Sequence, residues 1–586
     1  MYILGLSFDY HDSAAALVKD GRVIFAIQEE RLSRIKNDSS FPINAINECL
    51  KFEKIEIKDI DFIVYYENAL KKFDRIAKFN FFKKFKLESI TNSIKNWIDQ
   101  DKFFPKKKIS NILNFPINKI IETTHHESHR DSAIFSSGFS ESLIITVDGV
   151  GEYQTSSVSI FKNKKFENLS SSKFPNSLGL FYSVITAFLG FKINEGEYKV
   201  MGMSAYGKPT LIEFFRKIIY LKNGKIFLKQ KYFNFADYNS PPFTKYLTDI
   251  LGSPNNNGEI ITDDNINSKK SIHYANIAAS AQKVTEELIL SLVNYWKKKT
   301  KVNNVCLAGG CALNSLANYK IQKELGVNLF VQPAAGDAGC ALGAALGFYF
   351  KIKQSFVKES FKCDLGLSFS DKDVRKALSK YPKSDFKFFN DDNKLISETA
   401  KFLSKGNVIG WFQGRDEWGP RALGFRSILA CPIFKNMKNK LNKSIKFRES
   451  FRPFAPAVLA EKASKYFNVS EIKSINHPEK FMLSICKVWE KAKKQIPAVV
   501  HKDGSARVQM VYKDDNIFFY KLLQQVEKET GHPVLINTSF NLKGEPIVNS
   551  PLDAIKTFEL SNIDYLVINN FMIKRPNYKL LYKNLL

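Results

Sequence analysis

Three histidines crowd into the stretch Thr124-His125-His126-Glu127-Ser128-His129. His125 and His129 are one helical turn apart, which puts two imidazoles on one face of a helix as metal ligands are placed; surface and core histidines show the same spacing. A divalent ion needs further ligands, and two carboxylates stand where they could supply them. Asp148 follows the apolar strand IITV, and Asp337 sits in the Gly-flanked turn of QPAAGDAGCALG. Two imidazoles with two carboxylates suit a borderline ion such as Fe(II), Zn(II) or Mn(II), although each aspartate alone would more commonly cap a helix or make a turn. A different chemistry is written between residues 413 and 452, which hold Arg415, Arg421, Arg426, Lys446, Arg448 and Arg452, with Arg507 later. Guanidinium forks set amid Gly, Trp and Pro bind phosphate oxygens bidentately, while some of them will instead pair with Asp416, Glu417 or Glu449.

The elements that must carry these groups read as a repeat. Residues 3 to 30 (ILGLSFDYHDSAAALVKDGRVIFAIQEE) and 143 to 169 (LIITVDGVGEYQTSSVSIFKNKKFENL) each contain an apolar strand, a polar turn, a second strand, a tight turn and a third strand. Further on, VNNVCLAGGCALNSLANYKIQKEL runs an apolar strand into Gly309-Gly310 and then a helix, so that backbone N–H groups can approach a phosphate or ribose; a close-packed turn is the plainer alternative. Two hairpin halves and a glycine loop resemble the layout of the actin-like ATPase superfamily, whose duplicated lobes close over a nucleotide. In that layout Asp148 and Asp337 fall at strand and loop ends facing the interlobe cleft.

A chain of 586 residues is too long for one ordinary core, so two or more domains are expected. The net charge of +28 is spread evenly through a Lys-, Asn-, Ile- and Phe-rich sequence and has no long basic tail. That argues against a nucleic-acid face, yet such a field draws anionic ligands toward any cleft. Seven scattered cysteines without a CxxC pair suit a reducing compartment. No signal peptide and no apolar run of about 20 residues is evident, so a soluble cytoplasmic protein without a membrane span is expected. The basic and aromatic segment 70 to 108 reads as an amphipathic helical cover, or else as an insert that touches a membrane surface or glycan.

A more specific resemblance rests on long motifs in a fixed order: HDSAAALVKDGRV, EERLSRIK, HHESH, TVDGVGE, GLFYSVIT, GEYKVMGMSAYG, LAGGCALN, AAGDAGCALG, IGWFQGRDEWGPRALGFRSILA, KFRESFRPFAP, HKDGSARVQMV and LINTSFNLKGEPIV. Nearly end to end, the chain resembles the O-carbamoyltransferase family of the nodulation-factor, cephem and tobramycin type. The resemblance implies an α/β protein of two domains. Residues 1–355 would form an actin-like (duplicated RNase H-like) domain, similar to threonylcarbamoyl transferases, carrying carbamoyl transfer. Residues 356–586 would form a YrdC-like domain that makes carbamoyl adenylate from carbamoyl phosphate and ATP with Mg(II).

The same resemblance implies a metal, iron(II) by family precedent, on His125, His129, Asp148 and Asp337. It also places Arg421, Arg426 and Lys446 at carbamoyl phosphate and ATP positions. Arg415, Arg448, Arg507, Asn537, Ser539 and Asn541 are further nucleotide candidates, the last three having turn formation as their alternative. In the first domain Lys36 is a phosphate candidate, and Gly309, Gly310 and Asn314 are nucleotide-loop candidates. Transfer needs a base near the acceptor hydroxyl, and His11 is the candidate, with Asp12 orienting its ring or holding the acceptor; His11 as a turn residue bonded to backbone stays equally open.

The sequence departs from the family pattern at Phe425, Cys431 and Phe447, which leaves the chemistry-bearing residues in place but alters the flanks of the phosphate site. The acceptor hydroxyl, of a small molecule or glycan, is not readable from the sequence. A homodimer is compatible with the family, and no nucleic-acid partner is expected. Two rival readings are a tRNA threonylcarbamoyl-type transferase and a non-catalytic actin-like nucleotide-binding regulator.

Overall fold

The computed structural model describes residues 1–84, 95, 97–98, 101–235, 240–255, 265, 267–382, 385–446, 451–469 and 474–575. Arg448 and Phe447 lie outside the described residues, as does much of the middle of segment 70–108. The chain divides into two compact units: Met1–Glu29, Asn37–Phe361 and Ile472–Pro478 form the first, and Glu30–Lys36, Lys362–Glu471 and Glu479–Leu586 the second. The main boundary therefore falls at Phe361/Lys362 rather than 355/356, and two short segments pack with the unit that does not surround them in sequence. Asn476 shows why one of them does so: its side-chain amide donates to the carbonyls of Ser136 and Ser137, and its oxygen accepts from Phe361 N–H.

The first unit contains two five-stranded sheets of one topology. In the first, β1 (Tyr2–Ser7), β2 (Ala14–Lys19), β3 (Arg22–Gln28), β4 (Phe62–Tyr65) and β5 (Ile120–Glu122) run in the order β3-β2-β1-β4-β5. After β6 (Ser142–Val147), β7 (Gln154–Lys162), β8 (Lys165–Lys173) and a separate hairpin, β9 (Ile219–Lys222) with β10 (Lys225–Leu228), come β11 (Asn304–Ala308) and β12 (Asn328–Val331). The second sheet is ordered β8-β7-β6-β11-β12. In both, the leading strand pairs antiparallel with the next and parallel with the later one. This is the duplicated RNase H-like arrangement of the actin-like fold. The hairpins match the repeat because their turns, Asp20–Gly21 and Asn163–Lys164, are left-handed at both residues, the geometry that fits strand twist.

Two helices connect the sheets to the chemistry. His125–Ser137 packs on β6 and β11, Asp337–Lys353 packs on β1 and β2, and the two lie against each other. Their approach is set by Gly343, where an added Cβ would stand 1.9 Å from the Ser128 carbonyl oxygen and 2.7 Å from Ser132 N. No side chain fits there, so the histidine helix and the helix headed by Asp337 share one line of closest contact.

The second unit is an α/β unit on an eight-stranded mixed sheet, the class that the YrdC likeness calls for. Its strands are β13 (Phe386–Phe388), β14 (Ile409–Phe412), β15 (Arg426–Ala430), β16 (Ala455–Leu459), β17 (Ile485–Lys487), β18 (Ser505–Arg507), β19 (Gln509–Val511), β20 (Val534–Ser539), β21 (Tyr565–Ile568) and β22 (Phe571–Lys574). The large sheet is ordered β13-β22-β21-β14-β15-β20-β16-β19, and β17 pairs with β18 apart from it. Helices Asp392–Ser404 and Ile517–Thr530 cover the sheet with Leu395, Leu403, Phe519, Leu522 and Leu523 around the fully buried Trp411. Among the described residues no helix is long and apolar enough to cross a membrane.

Gly343→Ala is expected to destabilise the first unit by about 1–3 kcal/mol through overpacking. A melt followed by circular dichroism should show its transition several degrees lower; an unchanged transition would mean the helices can separate freely.

Candidate active site

Four of the residues singled out by type and spacing converge. One donor atom from each of His125, His129, Asp148 and Asp337 lies within 4.8 Å of all the others. His125 Nε2 is 3.1 Å from both His129 Nε2 and Asp148 Oδ2, and Asp337 Oδ1 is 3.7 Å from each imidazole Nε2. Metal–ligand bonds of about 2.1 Å in a tetrahedron place donors about 3.4 Å apart, so the spacing fits a first-row divalent ion. The donor chemistry fits as well. Two ring nitrogens facing each other can share at most one proton, and Asp337 Oδ2 and His125 Nδ1 are buried without a hydrogen-bond partner.

Local structure explains the convergence. His125 opens its helix after Thr124, and His129 follows one turn later on the same face. Asp148 follows β6, where its Oδ1 accepts from Gly310 N–H at 2.8 Å. Asp337 is the first residue of its helix, after Gly336. Burial would raise the Asp148 carboxyl, but His125, His129 and the Gly310 N–H hold it well below the usual carboxylate range. Burial raises the Asp337 carboxyl, and the pull of His11 and His125 only partly offsets this. The two imidazoles split. Burial disfavours charge on both, yet Asp337, Asp148 and Glu67 raise the pKa of His125 well above its ordinary value, while the neighbouring His125 helps hold His129 well below.

Several residues that hold this cluster were not found from the sequence. Glu67, at the end of β4, has its Oε2 3.7 Å from His125 Nδ1 and is gripped by Lys72 at 2.8 and 2.9 Å. Burial opposes its ionisation, but Lys72 and His125 bring its pKa down to about 2. Glu152 accepts from the backbone N–H of His125, and Cys340 Sγ lies 3.3 Å from His129 Nδ1. The signal that could have found Glu67 is a carboxylate two residues after an apolar strand of the first sheet.

His11 stands at the edge of the cluster and is partly exposed, with Nδ1 3.1 Å from Asp12 Oδ2 and Nε2 3.8 Å from Asp337 Oδ2. Burial would lower its pKa, but Asp337, Asp12 and Asp148 raise it to about 9. Two of those carboxylates are ones that a cation would neutralise. Asp12 thus orients the ring, and no backbone bond to the His11 ring occurs among the described contacts.

The glycine loop also closes on the cluster. Gly309 has φ of +89°, and an added Cβ would meet the Val147 carbonyl oxygen at 2.3 Å, so this turn admits only glycine. Gly310 donates to Asp148 as described, and Asn314 caps helix Ser315–Leu325 through Ala317 N–H while exchanging amide bonds with Gln282. Lys36, the first-domain phosphate candidate, belongs by packing to the second unit. It ends the Glu30–Lys36 segment, which packs with the second unit because Arg31 donates to the Gly419 carbonyl and Arg34 to those of Pro546 and Ile547.

In the second unit Lys446 joins Ser539 and Asn541. Its ammonium donates to the carbonyl oxygen of Ser539 and to the Asn541 side-chain and backbone oxygens at 2.7 and 3.0 Å, and Ser539 Oγ donates to Asn541 Oδ1 at 2.8 Å. Asn537 and Ser539 lie within β20 rather than after it. Asn537 is buried and donates to the Ala422 carbonyl and Gln509 Oε1, which pins the arginine-rich loop to the sheet. Arg426 is built into the arginine-rich loop. It is fully buried, its terminal nitrogens donate to the carbonyls of Gln413, Gly414, Phe425 and Leu367, and its guanidinium stacks 3.6 Å over the Phe412 ring. Burial lowers its pKa to about 10. These bonds brace the loop that carries Arg421. Arg415 likewise donates to the carbonyls of Leu365 and Gly366. Arg421 and Arg507 are half-buried, on this loop and on β18.

Comparison with known proteins decides the family. The carbamoyltransferase N-terminus model matches residues 2–346, and the carbamoyltransferase C-terminus model matches residues 400–575. The chain belongs to the carbamoyltransferase family. As a carbamoyltransferase it is an enzyme, which sets aside the regulator reading. It is 38% identical to an uncharacterized protein of Synechocystis sp. over 98% of this chain and 97% of that one. It is 34% identical to nodulation protein NolNO of Sinorhizobium fredii over 96% of this chain and 79% of that one, and 35% identical to nodulation protein NolO of Bradyrhizobium diazoefficiens over 77% and 79%. Among solved structures, HypF of T. kodakarensis aligns with a TM-score of 0.32 at 14% identity, covering 61% of this chain and 49% of that one.

Glu67→Gln is expected to weaken binding of Mn(II) by about 10–100-fold with the fold retained, because an outer carboxylate orients the ligand imidazole. Equilibrium dialysis measures it; unchanged affinity would remove Glu67 from the site.

Proposed function

We propose that this carbamoyltransferase uses ATP and carbamoyl phosphate to carbamoylate a hydroxyl group. Carbamoyl phosphate is hydrolysed to carbamate and phosphate; carbamate and ATP give carbamoyl adenylate and pyrophosphate; the acceptor oxygen then attacks the carbamoyl carbon and AMP leaves. The single observation that supports this reading is the family match over both halves, residues 2–346 and 400–575, since a one-step transferase would need only one of them. Carbamate is a poor electrophile because its anionic oxygen deactivates the carbonyl, and adenylation supplies a good leaving group.

In the second unit Lys446, held by neutral oxygens of Ser539 and Asn541, offers its charge to phosphate oxygens, with Arg421 beside it in function and Arg415, Arg448 and Arg507 as further candidates. Arg426 acts indirectly by holding the Gly414 to Phe425 loop. In the first unit His11 Nε2 accepts the proton of the acceptor hydroxyl, and Asp12 fixes the ring through Nδ1. Gly309 and Gly310 allow close backbone approach of a nucleotide. His125, His129, Asp148 and Asp337 would hold a divalent ion, iron(II) by family precedent, which when bound supplies Lewis-acid polarisation of an oxygen. The reaction is placed in the cytoplasm, where thiols stay reduced; all seven cysteines are free.

Incubation with Mg-ATP and carbamoyl phosphate, read by mass spectrometry, should yield carbamoyl adenylate and pyrophosphate without any acceptor. Arg421→Ala should abolish the adenylate, and His11→Asn should leave it intact while blocking transfer. Loss of adenylate in both folded variants would refute the two-site division.

A further inference from the structure

The first unit contains a cavity of about 550 Å³ that none of the residues assigned above explains. Its walls are largely aromatic and apolar: Tyr10, Phe79, Trp97, Phe174, Leu180 and Phe235 all line it. It shares a wall with the metal-type cluster. Glu67 lines the cavity and stands 3.7 Å from His125 Nδ1, and the Tyr10 ring lies 4.7 Å from the His11 ring. Gly309, Gly310 and Asn314, the nucleotide-loop candidates, are not among the lining residues.

The charges around the cavity are asymmetric. Both carboxylates among the described lining residues are already taken: Asp9 accepts from Lys108 at 2.7 Å, and Glu67 is gripped by Lys72. Arg75 spends one nitrogen on the Gly151 carbonyl and lies over the Phe174 ring. Lys102 also lines the cavity and makes no ion pair with a described residue. Burial and the nearby Lys72 and Lys108 ammoniums lower its pKa against the opposing pull of Asp9, as expected of a cation that lacks a full counter-charge.

We propose that this cavity receives the carbamoyl acceptor, and that it selects a hydroxyl compound with an apolar or aromatic body and a neutral or anionic polar end, excluding polycationic amino sugars. The volume suits a molecule of drug size, and the rings offer stacking faces. Among the described lining residues a polycation would find no free carboxylate and would meet Lys102. The inference rests on the transferase reading above, but its test is separate.

The full-length protein is titrated with two fluorescent probes, anionic 1-anilinonaphthalene-8-sulfonate and neutral N-phenyl-1-naphthylamine. Lys102→Gln should weaken the sulfonate about fivefold and leave the neutral dye unaffected. Leu180→Trp, which fills the cavity, should weaken both about tenfold. Neither kanamycin nor ATP should displace the dyes. In a transfer assay, 4-(hydroxymethyl)benzoate should be carbamoylated in preference to kanamycin, and Lys102→Gln should raise its KM while leaving that of benzyl alcohol unchanged. Dye binding indifferent to Leu180→Trp, displacement by kanamycin or ATP, or preferential carbamoylation of kanamycin would overturn the proposal. Adenylate formation measured on the same preparation separates the failures: if it persists while the cavity results fail, only the acceptor assignment falls.

Discussion

Two carboxylates and two imidazoles are packed within 4.8 Å of one another in a nearly closed interior, and this crowding is the constraint on which the first unit depends. Burying Asp148 and Asp337 costs several kcal/mol per charge unless an opposite charge compensates them. The protein supplies part of that compensation through the Gly310 N–H and the facing imidazoles, with His129 Nε2 3.1 Å from His125 Nε2. A divalent ion would compensate both carboxylates at once. The surrounding architecture follows from holding four donors from three helix and strand ends at one point: the helices must touch at Gly343, and the strand ends must be staggered by the same hairpin unit in both sheets.

In the second unit, several of the cations singled out from the sequence bond to neutral oxygens. Arg426 takes backbone carbonyls, Arg415 takes those of residues 365 and 366, and Lys446 takes Ser539 and Asn541. Such bonds fix the geometry of these side chains. The first unit pairs Lys72 with Glu67 and Lys108 with Asp9, and among the described lining residues of its cavity this leaves Lys102 and Arg75 as cations without a paired carboxylate in the lining.

Much of the site was legible because it is local. His125 and His129 declare a helix face through their spacing, Asp148 and Asp337 sit at visible strand and helix ends, and the hairpin repeat shows in alternating apolar runs with left-handed turns. What sequence cannot state is direction in three dimensions. Arg426 shares its motif with Arg421, yet it lies on strand β15 and points its fork into the loop's own carbonyls. Asn537 reads as a turn residue but belongs to a central strand whose partners on both sides bury it. Glu67, Lys72 and Cys340 come from distant parts of the chain and meet His125 and His129 only after folding, and the packing of residues 30–36 and 472–478 with the opposite unit follows from long-range bonds made by Arg31, Arg34 and Asn476.

The most direct test of the central claim is a crystal of the full chain grown with Mn(II), measured for anomalous scattering. The account predicts one strong peak about 2.1 Å from His125 Nε2, His129 Nε2, Asp148 Oδ2 and Asp337 Oδ1. An ordered structure with the four side chains in place and no peak among them, or with the ion bound elsewhere, would contradict it.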